Sequence, residues 1–209
     1  APYSSDYGYN YYISFVDSYS RYTWIYFLKA KSDTYNAVVQ FITMAEKQTN
    51  CQLKTFQTDG GSEYKPLDDF FKRKGIIHRT TCPYTSEQNG LAERKHRHIV
   101  ESGLSLLAHA SIPLKFWPEA FSTAVYLINR LPTKVLNYMC PIEKLLKTKP
   151  DYKMLKTFGC LCFPCLRPYN RNKLNFRSKS CTFLGYCTNQ KGYKCLDESG
   201  KIITSRHVV

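Results

Sequence analysis

Acidic residues are scarce in this chain. Only 16 Asp and Glu stand against 30 Lys and Arg, which leaves a net charge of +14 over 209 residues. A surplus that large favours a polyanionic partner, because each neutralised phosphate releases condensed counterions. Long apolar runs are missing as well: none approaches the roughly 18 residues that a membrane helix needs. The opening Ala1-Pro-Tyr-Ser-Ser-Asp6 has no basic n-region, no apolar h-region and no initiator Met, so it does not resemble a signal peptide. The expectation is an intracellular piece of a longer chain, without membrane contact. No Gly-rich phosphate loop of the P-loop or Rossmann type occurs, and no nucleophile elbow. Nine cysteines, an odd number without a secretory mark, point to reduced thiols rather than a disulfide framework.

What is present supports a folded α/β protein. Apolar residues make up 43% of the chain, enough for a real core. Tyr11 to Val16 and Tyr22 to Leu28 are aromatic and β-branched runs around Asp17-Ser-Tyr-Ser-Arg21, the pattern of a β-hairpin. From Ser32 to Thr49, Val38, Phe41, Ile42 and Ala45 recur at helical spacing. A short strand over Leu53 to Thr58 leads into Asp59. A helix over Leu67 to Lys74 stops at Gly75, a strand comes next over Ile76 to Thr81, and a longer helix runs from about Asn89 to Ala110. Between Pro118 and Pro132, Phe121, Ala124, Val125 and Ile128 form an apolar stripe. Beyond Pro150 the texture changes to about five short strands within some 50 residues, which suggests a small barrel or curled sheet. The expected organisation is therefore residues 1–150 as an α/β core with a helical extension, and residues 151–209 as a small β-barrel.

Two segments carry the chemistry. The first is Gln57-Thr-Asp-Gly-Gly-Ser-Glu-Tyr64; the second is Cys82-Pro-Tyr-Thr-Ser-Glu-Gln-Asn-Gly-Leu-Ala-Glu-Arg-Lys95. They set Asp59 at a strand end and Glu93 early on a helix, with 33 residues between them. Two carboxylates so placed suit divalent cations beside a phosphodiester. Gly60 and Gly61 let the backbone turn sharply after Asp59, and Arg94, Lys95, His96, Arg97 and His98 put positive charge next to Glu93.

These segments resemble the last two acids of the D-D-E integrases, and most of all the copia-type retrotransposon branch. The pattern of that branch is close to S-D-N-G-G-E-[FY] … P-Y-T-P-Q-Q-N-G-[VL]-A-E-R-K. The stretch from residue 158 onward, F-G-C-L … F-L-G-Y … K-G-Y … S-R-x-V-V, similarly resembles the Src-homology-3-like barrel behind copia integrase cores, with His207 where that family usually has an acid. The resemblance implies a ribonuclease-H-like mixed sheet flanked by helices, with the first strand missing. It also implies metal-dependent processing of 3′ ends of element DNA and their transfer to target DNA.

The same resemblance supplies the roles. Asp59 and Glu93 would be catalytic metal ligands in a two-metal site for magnesium or manganese. Tyr84, Gln88, Asn89 and Gly90 would form an active-site loop. Arg94, Lys95 and Arg97, with Arg167, Arg171, Lys173, Arg177 and Lys179, would contact DNA. The last five belong to a stretch between Asp151 and Asp197 that holds nine Lys or Arg and no acid. A third family acid lies in a first-strand segment like H-x-D-x-W-G-P, and Ala1-Pro2-Tyr3 resembles the residues just after that segment. Activity of the chain by itself is therefore expected to be impaired. Asp17 is a weaker substitute ligand, since capping a hairpin turn also accounts for it. Element ends and target DNA would be the partners, with oligomerisation on DNA and a nuclear location. A non-enzymatic nucleic-acid-binding remnant is the alternative. Cys160, Cys162 and Cys165 leave a zinc site open, although strand alternation favours buried thiols.

Overall fold

The computed structural model describes residues 4–82, 85–166, 174–187 and 190–209. Strands β1 (Tyr11–Val16) and β2 (Thr23–Leu28) pair antiparallel, with Phe15 opposite Trp24. Alternation along β1 sends Ile13 and Phe15 into one core while Tyr12 packs on the opposite side, as a strand covered on both faces requires. Helix α1 (Thr34–Thr49) buries Ala37, Val38, Phe41 and Ile42 and stops where Asn50 takes a left-handed φ of 52°. Phe41 stacks on Phe15 with ring centroids 3.9 Å apart. Strand β3 (Thr55–Thr58) pairs parallel with β4 (Ile77–Thr80) across helix α2 (Asp68–Lys74). Gly75, at φ 68°, ends that helix in the left-handed turn that glycine adopts without strain.

Among the described residues the core sheet comes as two ribbons, β1–β2 and β3–β4, with no backbone bond between them. Side chains join the ribbons instead: Phe15 meets Phe56 at 6.0 Å, and α1, α2 and both ribbons share one apolar cluster. The family resemblance implied a sheet without its first strand, open at an edge or at a gap, and the gap is what the two ribbons present.

Helices α3 (Gly90–His109) and α4 (Trp117–Ile128) cover the other face. They approach closely because Gly103 lies under the Phe121 ring, where a Cβ would collide. Asn129, just past α4, clamps the start of β2: its amide Nδ2 donates to Thr23 O at 2.7 Å and its Oδ1 accepts from Thr23 N at 2.8 Å, all buried. A short helix α5 (Pro141–Leu146) comes after it.

The C-terminal part is a small antiparallel sheet in the order β5 (Leu161–Cys162), β6 (Cys181–Tyr186), β7 (Tyr193–Leu196) and β8 (Ile202–Ser205). The expected first strand over Phe158 to Phe163 is shortened to β5. Gly159 turns at φ 83° and Cys160 N bonds back to Thr157 O, so pairing starts late. Past β5 and β8 the chain ends bond to each other, Phe163 N to Val209 O at 2.7 Å and Cys165 N to His207 O at 2.9 Å. The regular ladder is a row of four strands, and an isolated antiparallel bridge joins Pro164, past its first strand, to Val208, past its last.

This sheet is packed onto the helices instead of hanging from a linker. Leu184 and Phe158 are buried in the same cluster as Ile99, Trp117 and Phe121. At Gly185 (φ 116°) and Gly159, added Cβ atoms would strike Thr123 Oγ1 and Ala110 Cβ. Arg130 stacks on Tyr126, which stacks on Tyr186 at 3.8 Å. Glu119 on α4 is almost wholly buried and meets Lys194 on β7 at 3.5 Å. Burial pushes its carboxyl above the usual range, against the pull of Lys194.

Candidate active site

Asp59 sits directly after the last residue of β3 and is exposed. Its Oδ1 accepts from Gly61 N at 3.1 Å, while Gly60, at φ 78°, makes the turn that glycine permits. Glu63 folds over Gly61. Tyr64 beside it has its phenol pushed up to about 12, by burial first and then by the charges of Asp59 and Glu63. It therefore stays a protonated hydrogen-bond donor at neutral pH.

Glu93 lies in the first turn of α3, exposed, where the helix N-terminus favours a carboxylate. Among the described residues no ion pair joins it to Arg97. What sets the helix start against β3 is Gln88. Its backbone O accepts from Gln57 Nε2 at 2.7 Å, and its Oε1 accepts from Cys82 N at 3.0 Å. Asp59 and Glu93 consequently line one open cleft of about 790 Å³, together with Asn89, Tyr64, Lys65, Asp68, His78 and Cys82.

The other expected site residues scatter. Asp17 directs Oδ2 at Ser20, accepting from its N at 2.7 Å and its Oγ at 2.5 Å, so its carboxylate closes the hairpin turn and is not part of the cleft lining. Arg94 and Arg97 are exposed on α3. Lys95 is half-buried, and desolvation, then the charge of Arg21, lowers its pKa. His98 is lowered too, by burial and then by Lys95. His96 faces β1, its Nδ1 2.6 Å from the Tyr12 hydroxyl with the rings stacked. Arg177 is exposed, whereas Lys179 is tied to the buried Asp197 at 2.5 Å. Arg167, Arg171, Lys173 and Tyr84 lie outside the described residues.

Cys162, Cys181 and Cys195 cluster as buried thiols in the small sheet, and burial raises the pKa of each. Cys160 is only half-buried. Among the described residues no three His, Cys, Asp or Glu side chains converge as a metal cage. Two exposed carboxylates on one cleft do fit a cation such as Mg²⁺, which keeps several waters and binds through one or two carboxylates plus substrate phosphates.

Gln57, Asp68 and His78 were not singled out from the sequence. The alternating strand Ile77-His78-Arg79-Thr80 was visible, but its parallel register with β3, pairing Phe56 with His78, was not.

Comparison with known proteins supplies the family. The Integrase core domain family matches residues 2–86, and the Retroviral polymerase SH3-like domain family matches residues 160–209. The retrovirus-related Pol polyprotein from transposon RE2 of Arabidopsis thaliana is 50% identical over 202 residues, 96% of this chain. Its RE1 counterpart from the same plant is 49% identical over all 209 residues, and that from transposon TNT 1-94 of Nicotiana tabacum is 38% identical over 205, 97% of the chain. The chain spans about 14% of the length of the two Arabidopsis relatives and 15% of the tobacco one. A simian T-cell lymphotropic virus intasome, solved by cryo-electron microscopy in complex with PP2A regulatory subunit B56 gamma, aligns with 99% of this chain and 74% of its own at a TM-score of 0.55 and 16% identity. That is a likeness of fold.

Proposed function

The chain belongs to the copia-type retrotransposon Pol polyproteins, as their integrase core with a retroviral-polymerase SH3-like domain behind it, and we propose that it takes part in DNA integration through the Asp59–Glu93 cleft. One observation carries this reading: two carboxylates from different segments, with 33 residues between them in the chain, line a single open cleft. The reaction class is metal-dependent 3′-end processing and then strand transfer, with element ends and target DNA as substrates. The work would be done on nuclear DNA by an oligomer assembled there.

Asp59 and Glu93 would hold magnesium or manganese. When bound, the ion supplies Lewis acidity to the phosphodiester and lowers the pKa of an attacking hydroxyl. The protein's own part is placement. The Gln57–Gln88–Cys82 bonds fix the start of α3, and thus Glu93, against the end of β3. Tyr64, protonated at neutral pH, offers a hydroxyl donor at the cleft wall. Arg94 and Arg97 present fixed positive charge to the phosphate backbone beside Glu93. Lys95, half-desolvated beside Arg21, would lend longer-range attraction rather than a direct clamp. The proposed domain division is 1–150 and 151–209, with the basic stretch of the second part as a DNA-facing surface.

Binding of Mn²⁺, monitored by electron paramagnetic resonance, tests the reading. Asp59→Asn and Glu93→Gln should each weaken binding by about 10-fold or more, as loss of one charged oxygen ligand does. Unaltered Mn²⁺ affinity in both variants refutes the site. DNA binding that persists without any cation binding by the wild-type chain would favour the non-enzymatic remnant.

A further inference from the structure

Behind Asp59 a chain of hydrogen bonds runs through groups that the metal-binding reading does not use. His78, on β4, has both ring nitrogens engaged: Nδ1 lies 2.8 Å from Asp68 Oδ1, and Nε2 lies 3.0 Å from Thr58 Oγ1. Its ring also packs on Phe71 at 4.9 Å, so it cannot swing away without losing that contact. The partners set the bond directions. A carboxylate only accepts, so Nδ1 carries the proton. When the ring is neutral, Nε2 is left as an acceptor and the Thr58 hydroxyl donates to it. This leaves the Thr58 oxygen lone pairs for Gly60 N, which donates at 3.3 Å. Thr58 is buried, so its hydroxyl must find partners inside the fold.

We propose that the Asp68–His78–Thr58 relay is a positioning device that holds the Asp59-Gly60-Gly61 turn, and with it the Asp59 carboxylate, in the orientation that binds the cation. The inference rests on the metal-binding reading of the cleft. Asp59 has little else to hold it: it is exposed, and the only hydrogen bond its carboxylate makes among the described residues is the one from Gly61 within its own turn. Gly60 contributes no side chain to stiffen the loop, and a glycine turn without outside support samples many conformations. The relay supplies that support from the strand pair and from the first turn of α2. It acts at one remove from the ligand, as outer hydrogen bonds do at metal sites. His78 and Asp68 are therefore positioning residues.

The test combines two readouts on the whole chain: Mn²⁺ affinity by electron paramagnetic resonance, and the backbone order parameter of the Gly60 amide by nuclear magnetic resonance. Thr58→Val keeps shape and burial but removes the acceptor for Gly60 N. His78→Leu removes the acceptor for Thr58. His78→Gln puts an amide oxygen near the Nε2 position and should restore the link. The expected result is a Gly60 order parameter falling from about 0.85 toward 0.6 in Thr58→Val and His78→Leu. Mn²⁺ affinity should fall about 10-fold in both, with both readouts recovering in His78→Gln. Thr58→Val, nearly isosteric, guards against a folding defect, because a merely structural threonine would leave Gly60 order and Mn²⁺ affinity alone. If the wild type binds Mn²⁺ and both variants bind it within about twofold of that value, the relay is overturned while the cleft reading stands. If the wild type binds no Mn²⁺, the cleft reading and the relay fall together.

Discussion

Replacing Gly185 by alanine measures how firmly the small sheet is joined to the helices. Gly185 sits on β6 at φ 116°, and a Cβ there would collide with Thr123 Oγ1 on α4. Two penalties apply. Holding an L-residue at this φ costs about 1–3 kcal/mol, and forcing a methyl into a packed contact costs about 1–3 kcal/mol more. A total near 4 kcal/mol is a large share of the roughly 5–15 kcal/mol that stabilises a typical domain. For a chain of this length it should lower the melting temperature by roughly 8–16 °C. The structure also says how to divide the two penalties. Thr123→Ala removes the colliding oxygen, and the next obstacle, Thr123 Cβ, would lie at an ordinary 3.4 Å. A double-mutant cycle by thermal unfolding should therefore show about 1–3 kcal/mol of favourable coupling, with the φ penalty left over. The transition should remain single in all four proteins. A cost below about 1 kcal/mol for Gly185→Ala, or two separate melting steps in the wild type, would refute a shared core.

Three further outcomes rest on other contacts. Asn129→Ala strands the N–H and C=O of Thr23 in a buried site and should cost about 2–5 kcal/mol in urea unfolding; a loss under about 1 kcal/mol refutes the clamp. Asp197 accepts from Lys179, Ser199 Oγ and Lys201 N, and these bonds, that from Lys179 first, hold its carboxyl well below the usual range. Because the folded pKa is depressed, its contribution is present above the unfolded value and disappears as pH falls through the folded one. Asp197→Asn should thus lower the melting temperature at pH 7 but converge with the wild type in strong acid, and a pH-independent difference would contradict this. Finally, Cys51 and Cys82 are the exposed thiols among the described residues and should be the first to react with a thiol reagent. DNA with Mn²⁺ should shield Cys82, which lines the cleft, and leave Cys51 unprotected; equal protection or none argues against the cleft.

Local patterns carried much of this fold. The hairpin around Asp17, the apolar stripe of α1, the stop at Gly75 and the reach of α3 each arise from periodicity or turn chemistry within a dozen or so residues. Asp59 and Glu93 stood out for a different reason, because their flanking segments match a family pattern. Contacts between distant segments left no comparable trace. Asn129 meets Thr23 across 106 positions, and nothing near either residue marks the pair. His78 resembles any polar residue on an exposed strand until the register of β4 against β3 places it beside Thr58. Lys95 shows what charge alone leaves out: the helical phase that buries Ile99 also draws Lys95 partly inward. The short start of β5 is set by the turn at Gly159, whose role depends on Ala110 lying directly behind it.

The three glycines at 103, 159 and 185 let α3, α4 and the small sheet pack in direct contact, a bracket that runs from the helix carrying Glu93 to that sheet. A tethered module would let its cargo wander over a sphere set by linker length. A bracket instead fixes one distance and one angle, so any polymer touching both ends is gauged like a workpiece in a jig. Adding a methyl group at any of these three positions would spoil that calibration while leaving every charged side chain in place.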